Sequence, residues 1–232
     1  MPIDFLGKRL LVLTAHPDDE GIAAGTMYEN YKAGGETYLI CATYGEKGKA
    51  HLAKPVSDAI LKKIRKNELL KAAKVLHVNE VFFLGLPDTG VREHAMALYE
   101  KSAAIVRKVQ PEQILSFGPD GGSGHWDHIT AAKVAVKLAK KFKIPLATVT
   151  FPRFTLARRR KLFMARRKFG KYATLKTKHR KSDIKIKINP AIKRKAMSNH
   201  KSQFGNRLPF ASLPKRVQAK MMSEEHFVRE KI

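Results

Sequence analysis

The chain has a single cysteine, Cys41, in 232 residues, which excludes an internal disulfide and any metal site built from several thiolates. It also lacks a membrane span: 44% of its residues are apolar, but no run approaches the roughly 18 to 20 that a spanning helix needs. Met1–Lys8 carries no basic stretch leading into a long apolar run, so no signal peptide is expected and a cytoplasmic location is. No internal repeat is present. Acidic residues are scarce, 20 Asp and Glu against 46 Lys and Arg, for a formal charge of +26.

The acid deficit is uneven. Residues 1–150 hold 21 Lys and Arg against 16 Asp and Glu, whereas residues 151–232 hold 25 against 4. Clustered cations release counterions on meeting polyanions, so the basic portion predicts nucleic acid, an anionic membrane or an anionic small molecule as partner. A solvated basic surface explains the same numbers. Within Arg153–Lys181, Phe154, Phe163, Phe169 and Tyr172 interleave with cations, a pattern that stacks bases or forms the buried side of a cap over a pocket. The length suits one core, and a single domain over 1–232 with a basic portion at 152–232 is expected. A homo-oligomer is compatible with all of this.

The first 150 residues alternate short apolar runs with helical patterns. Strands are predicted at Leu10–Thr14, Tyr38–Thr43, Val81–Leu84, Gln113–Phe117 and Leu146–Phe151. Helices are predicted at Glu20–Lys32, Asp58–Leu76, Glu93–Val109 and Asp127–Phe142. In the second of these, Leu69, Ala72, Ala73 and Leu76 fall on one apolar face. This order predicts an α/β fold, a Rossmann-like, mostly parallel sheet with helices on both faces. Beyond it, Ile184–Ile188 alternates as a half-buried strand, and Asn189-Pro190 opens a helix running to about Gln203.

No G-x-G-x-x-G follows the first strand, where a dinucleotide fold would place it. That position holds His16, Pro17, Asp18, Asp19 and Glu20. In an open α/β sheet, ligands bind beyond the carboxyl ends of the strands. The loop after the fourth strand leads to His125, Asp127 and His128 on the same rim. The acids alone suit helix starts, Asp127 as an N-cap included, but three histidines at two strand ends need another reason. Two histidines and a carboxylate, with one position left for water, form a ligand set that catalytic zinc uses.

Ala15-His16-Pro17-Asp18-Asp19-Glu20 resembles the AHPDDE signature, and His125-Trp126-Asp127-His128 the HxDH signature, of the LmbE-like or PIG-L family of zinc-dependent de-N-acetylases. Thr43–Gly48 resembles its TxGxxG loop, Arg65–Glu68 its RxxE helix, Leu84–Asp88 its LGxxD turn and Ala196–Gln203 its AxxxHxSQ helix. The resemblance covers residues 9–150 and 190–203. It implies that His16, Asp19 and His128 bind Zn²⁺, with Fe²⁺ another divalent ion accepted by such ligands, and that Asp18 is the general base. A metal lowers the pKa of its water towards about 7, and a neighbouring carboxylate then takes the proton. His125, with Asp127 as the carboxylate partner that favours an imidazolium, is expected to stabilise the oxyanion and protonate the leaving amine.

The same resemblance implies that Arg65, Asp88 and His200 contact the substrate, an N-acetylated amino sugar or its conjugate. Local roles compete with this: an ion pair of Arg65 with Glu68, a turn shaped by Asp88, and a polar surface position for His200. The dense basic stretch at 153–181 has no counterpart among the motifs, so the substrate stays open.

Overall fold

A computed structural model describes residues 5–48, 52, 54–152, 180–207 and 214–232. The basic aromatic stretch at 153–179 lies outside the described residues. Among the described residues no helix is long and apolar enough to cross a membrane.

Five parallel strands form the body of one sheet: β1 (Leu10–Thr14), β2 (Thr37–Thr43), β3 (Glu80–Leu86), β4 (Gln113–Ser116) and β5 (Leu146–Thr150). Two further strands, β6 (Ile184–Lys187) and β7 (Glu224–Arg229), complete it in the order β3-β2-β1-β4-β5-β7-β6. β7 runs antiparallel to both β5 and β6. The α/β, mostly parallel architecture expected from the sequence is the one found.

The helices are α1 (Ala24–Lys32), α2 (Asp58–Val75), α3 (Ala95–Val109), α4 (Trp126–Phe142), α5 (Pro190–Met197), α6 (Lys201–Phe204) and α7 (Lys215–Ser223). Strand alternation divides the core in two. Leu11, Leu13, Ile40 and Ile114 face α3 and α4, while Leu10, Val12, Leu39 and Cys41 face α1, α2 and α5. All five residues of β1 are buried, each leucine contributing about 1.5–3 kcal/mol of burial. Burial also pushes the Cys41 thiol well above its ordinary pKa, which keeps it inert.

Strand order reverses at β1: the chain winds to β2 and β3 on one side, then returns to β4 and β5 on the other. The crevice beyond the carboxyl ends of β1 and β4 is therefore the topological switch point, where ligands bind in such sheets.

Two helices differ from expectation. The helix predicted from Glu20 begins as a 3-10 turn, Asp19–Ile22, and breaks at Ala23 before α1 starts. Within that turn Glu20 Oε2 reaches back to accept the Asp18 N–H at 2.9 Å. The helix predicted from Asn189 to about Gln203 is two helices, α5 and α6. Asn199 Nδ2 donates to the Lys195 and Ala196 carbonyls at 2.9 and 3.1 Å, ending α5 with a side-chain bond that competes with the helix.

Residues 204–232 carried no prediction. α7 and β7 lie there, and β7 alternates with Glu225 and Phe227 buried. Glu225 accepts from the Gly25 and Thr26 N–H groups at 3.0 and 2.8 Å at the start of α1, and from Lys193 Nζ at 2.7 Å. A carboxylate there satisfies orphan donors and complements the helix dipole.

Candidate metal centre

His16 leaves the end of β1 with its ring held between two sets of acids. Its Nε2 lies 3.1 Å from Asp127 Oδ2 and 3.2 Å from Asp88 Oδ1. Both carboxylates are already oriented. Asp127 accepts from the Thr89 and Val91 N–H groups at 2.8 and 3.3 Å, and Asp88 from the Lys47 N–H at 2.7 Å. Ionised carboxylates only accept, so Nε2 carries the proton and the lone pair of the neutral ring sits on Nδ1.

His128 is fixed in the opposite sense. Its Nδ1 donates to the Gly121 carbonyl at 2.9 Å, with Ser123 Oγ at 3.1 Å, and its ring stacks on Phe117 at 4.3 Å between centroids. Gly121 sits at φ +63°, and a Cβ there would come within 2.8 Å of His128 Cβ, so this turn needs glycine. The free lone pair of His128 is on Nε2.

The two lone pairs face one another. His16 Nδ1 is 3.1 Å from His128 Nε2 and 3.2 Å from Asp19 Oδ2, and His128 Nε2 is 3.3 Å from Asp19 Oδ1. Tetrahedral zinc with bonds of 2.0–2.2 Å separates its ligand atoms by about 3.3–3.6 Å. The three separations, two of which run to different oxygens of the Asp19 carboxylate, come within a few tenths of an ångström of that, and a ligating histidine characteristically gives its other N–H to a carboxylate or carbonyl, as both rings do here. The donor set fits a divalent cation.

Two other groupings bring ligand atoms within 4.8 Å of one another, His16 with His125 and His128, and His16 with Asp88 and Asp127. The second would use His16 Nε2, which is committed as a donor to two carboxylates that backbone N–H groups already hold. Asp88 and Asp127 therefore hold the His16 ring through its Nε2–H.

Charge follows the same division. Burial pushes the His16 pKa down, but Asp127, Asp19 and Asp88 outweigh it and hold it well above the ordinary imidazole value. Burial pushes Asp19 up, and His128 and His16 more than offset this, leaving it well below the usual carboxylate range. This pocket favours a positive charge among its donors, a proton or a cation.

Asp18 differs from its neighbours. Its backbone is left-handed, φ 99° and ψ −18°, a conformation that costs a non-glycine residue about 1–3 kcal/mol. Its side chain is 22% exposed against 11% for Asp19, 5% for Asp88 and 0% for Asp127, so it is the site acid open to a ligand. Burial raises its pKa to about 6, opposed by Arg65 and assisted by the negative charge of Asp19.

His125 caps α4, with its Nδ1 accepting the Asp127 N–H at 3.1 Å. The N-cap is thus His125, and not Asp127. The imidazolium expected from an Asp127 partner is corrected here. The Asp127 carboxylate is turned to His16, and burial together with the His16 and His128 charges pushes His125 down to about 3. At neutral pH His125 is a neutral ring whose proton sits on Nε2, beside the His16 and His128 rings.

The three residues expected to touch substrate are all buried. Arg65 is 3% exposed, Asp88 7% and His200 0%. Arg65 donates to the Gly45 carbonyl at 2.6 Å and to the Pro17 carbonyl, and lies 3.3 Å from Asp18 Oδ1, binding two loops together behind Asp18. A Cβ on Gly45, at φ +70°, would lie 2.1 Å from the guanidinium, which explains that glycine of the TxGxxG loop. Asp88 backs His16. His200 pairs through Nε2 with Glu20. Sequence reasoning missed Glu20 and Ser202 as parts of this assembly, although both stand inside motifs already singled out.

A sequence profile described as PIG-L: GlcNAc-PI de-N-acetylase matches residues 11–139, more than half of the chain. A curated relative from Streptomyces avermitilis, 1D-myo-inositol 2-acetamido-2-deoxy-alpha-D-glucopyranoside deacetylase, is 37% identical over 161 residues, which is 59% of this chain and 54% of that protein. The chain spans about half the length of the curated relatives it matches. Among solved structures, the N,N'-diacetylchitobiose deacetylase of Pyrococcus horikoshii superposes with a TM-score of 0.65 at 22% identity, covering 96% of this chain and 84% of that one. GalB, the 4-carboxy-2-hydroxymuconate hydratase of Pseudomonas putida, superposes at 0.60 and 18%, covering 97% of each. The fold is shared between the two, and a shared fold hosts more than one chemistry.

Proposed function

The chain belongs to the PIG-L family, and from that premise we propose that it is a metal-dependent hydrolase removing the acetyl group from an N-acetylated amino sugar or its conjugate. The observation that carries this is the meeting of His16 Nδ1, His128 Nε2 and Asp19 at 3.1–3.3 Å beside Asp18, a partly exposed acid whose pKa burial raises. The sugar class rests on the family's description and on the name of the Streptomyces avermitilis relative.

His16, Asp19 and His128 would hold zinc, or another divalent ion that accepts imidazole and carboxylate. When bound, such an ion lowers the pKa of water in its open position towards about 7 and polarises a carbonyl oxygen. Asp18 takes the proton from the attacking water, for which a pKa of about 6 suits a base working near neutrality. As the amide carbon becomes tetrahedral, His125 donates Nε2–H to the developing oxyanion, a neutral electrophile that costs the site no extra charge. The proton on Asp18 then passes to the departing nitrogen, releasing acetate and the free amine.

The excess of 25 cations over 4 acids in residues 151–232 supports an anionic conjugate as substrate, drawn in electrostatically. Turnover at low substrate should then fall as salt shortens the screening length to about 8 Å at physiological ionic strength. A single domain in a cytoplasmic setting completes the reading. The test is to strip the protein of metal, reload it with Zn²⁺, and assay acetate release from a panel of N-acetylglucosamine conjugates. Activity restored only on reloading supports the proposal; a fully loaded protein inert on the whole panel refutes it.

A further inference from the structure

Accepting the reading of Asp18 as general base, one group far away in sequence bears on it. Glu20 is 0% exposed and spans between two partners: Oε2 accepts the Asp18 N–H at 2.9 Å, and Oε1 meets His200 Nε2, 180 residues along the chain. Asp18 holds its left-handed backbone at this point. A strained residue keeps such a conformation only where its surroundings over-determine it.

A second tie starts from the same late segment. His200 is the N-cap of α6, and two residues on, the Ser202 N–H and Oγ donate to Glu68 at 2.8 and 2.6 Å. Glu68 lies one turn of α2 beyond Arg65, whose guanidinium binds the Pro17 carbonyl and faces Asp18. The segment Asn199–Gln203 therefore reaches Asp18 by two routes, one to its backbone through Glu20 and one to its carboxylate through α2 and Arg65. The break between α5 and α6 makes this possible, because a continuous helix would not give His200 its backbone of φ −81° and ψ 55°.

We propose that His200 is a positioning residue for the general base, holding Glu20 so that Glu20 in turn fixes the Asp18 backbone, with the Asp18 carboxylate against Arg65. His200 is fully buried with its Nε2 on Glu20, and among the described residues its Nδ1 has no hydrogen-bond partner. The direction of dependence is clear from the geometry. Glu20 has one oxygen for Asp18 and one for His200, so losing the donor at His200 frees the carboxylate to swing off the Asp18 N–H.

Three variants test this on zinc-loaded protein. His200→Ala removes the ring, His200→Met preserves most of its volume without a donor, and His200→Gln restores an N–H donor towards Glu20. For Ala and Met, metal stoichiometry should equal the wild type, kcat should fall about 10- to 100-fold as for a misplaced reacting group, and KM should stay within about threefold. Amide hydrogen exchange across Asp18–Ile22 should quicken in both, and His200→Gln should recover most of the kcat and the protection. Wild-type kcat in a folded His200→Met, unchanged exchange, or a His200→Gln no better than Met would overturn the proposal. If the wild type itself releases no acetate from any substrate, the functional reading fails, and the exchange comparison alone decides the positioning claim by the same outcomes.

Discussion

Residues 10–150 carry the candidate centre and residues 180–232 pack behind it through Glu20 and Glu68, and the two regions contribute in different ways. The first region presents every donor of the candidate centre at the carboxyl end of a parallel strand: His16 and Asp19 beyond β1, His128 beyond β4, with Asp88 beyond β3 behind them. Among the described residues, the second region adds no donor to that set. It adds braces instead, from His200 to Glu20, from Ser202 to Glu68, and from Glu225 and Lys193 to the start of α1. Chemistry here comes from strand ends, and the accuracy of its placement comes from long-range ties.

The comparison breaks if variants of the two regions fail alike. The largest expected effect is in the second region. Glu225→Ala leaves Lys193 charged and buried, its side chain 5% exposed, and removes the acceptor for Gly25 and Thr26. Chemical denaturation should show a loss of about 3–5 kcal/mol, while protein that remains folded keeps its metal affinity. A loss below 1 kcal/mol would mean that the brace contributes little.

Asp127→Asn probes the first region. It disturbs the acceptor that fixes the His16 tautomer, and metal affinity should fall about 10- to 100-fold, with a smaller change in the denaturation midpoint. Competition against a chelator measures this; unchanged affinity would mean that Asp127 does not orient His16.

The smallest effect is graded by pH. Asp18 must be ionised to accept a proton, and its pKa is raised to about 6 without metal. A dication nearby favours the carboxylate and lowers that value. The acid limb of kcat/KM should therefore have its midpoint at or below about pH 6, falling about tenfold per unit below it. A midpoint above 7 would assign the limb to another group.

The two regions also differed in how far they could be read beforehand. Strands β1 to β5 were legible because each is an apolar run bounded by turn residues, and the meeting of His16 with His128 because two histidine clusters follow two strand ends. The tautomers were not legible. They depend on Asp127 turning to His16 and on the Gly121 carbonyl, contacts set by tertiary packing. β7 escaped reading because its alternation places Glu225 at a buried position, a burial that makes sense only with Lys193 and the α1 amides in view. Arg65, Asp88 and His200 were expected at the substrate, and their burial is a property that sequence does not carry.

The central claim is that Asp18 moves the proton while His16, Asp19 and His128 hold the metal. Asp18→Asn, purified beside the wild type, separates the two by metal analysis and acetate release on the same preparation. The account predicts wild-type zinc content with kcat reduced about 10²- to 10⁴-fold. Full activity with zinc bound, or zinc lost along with activity, would contradict it.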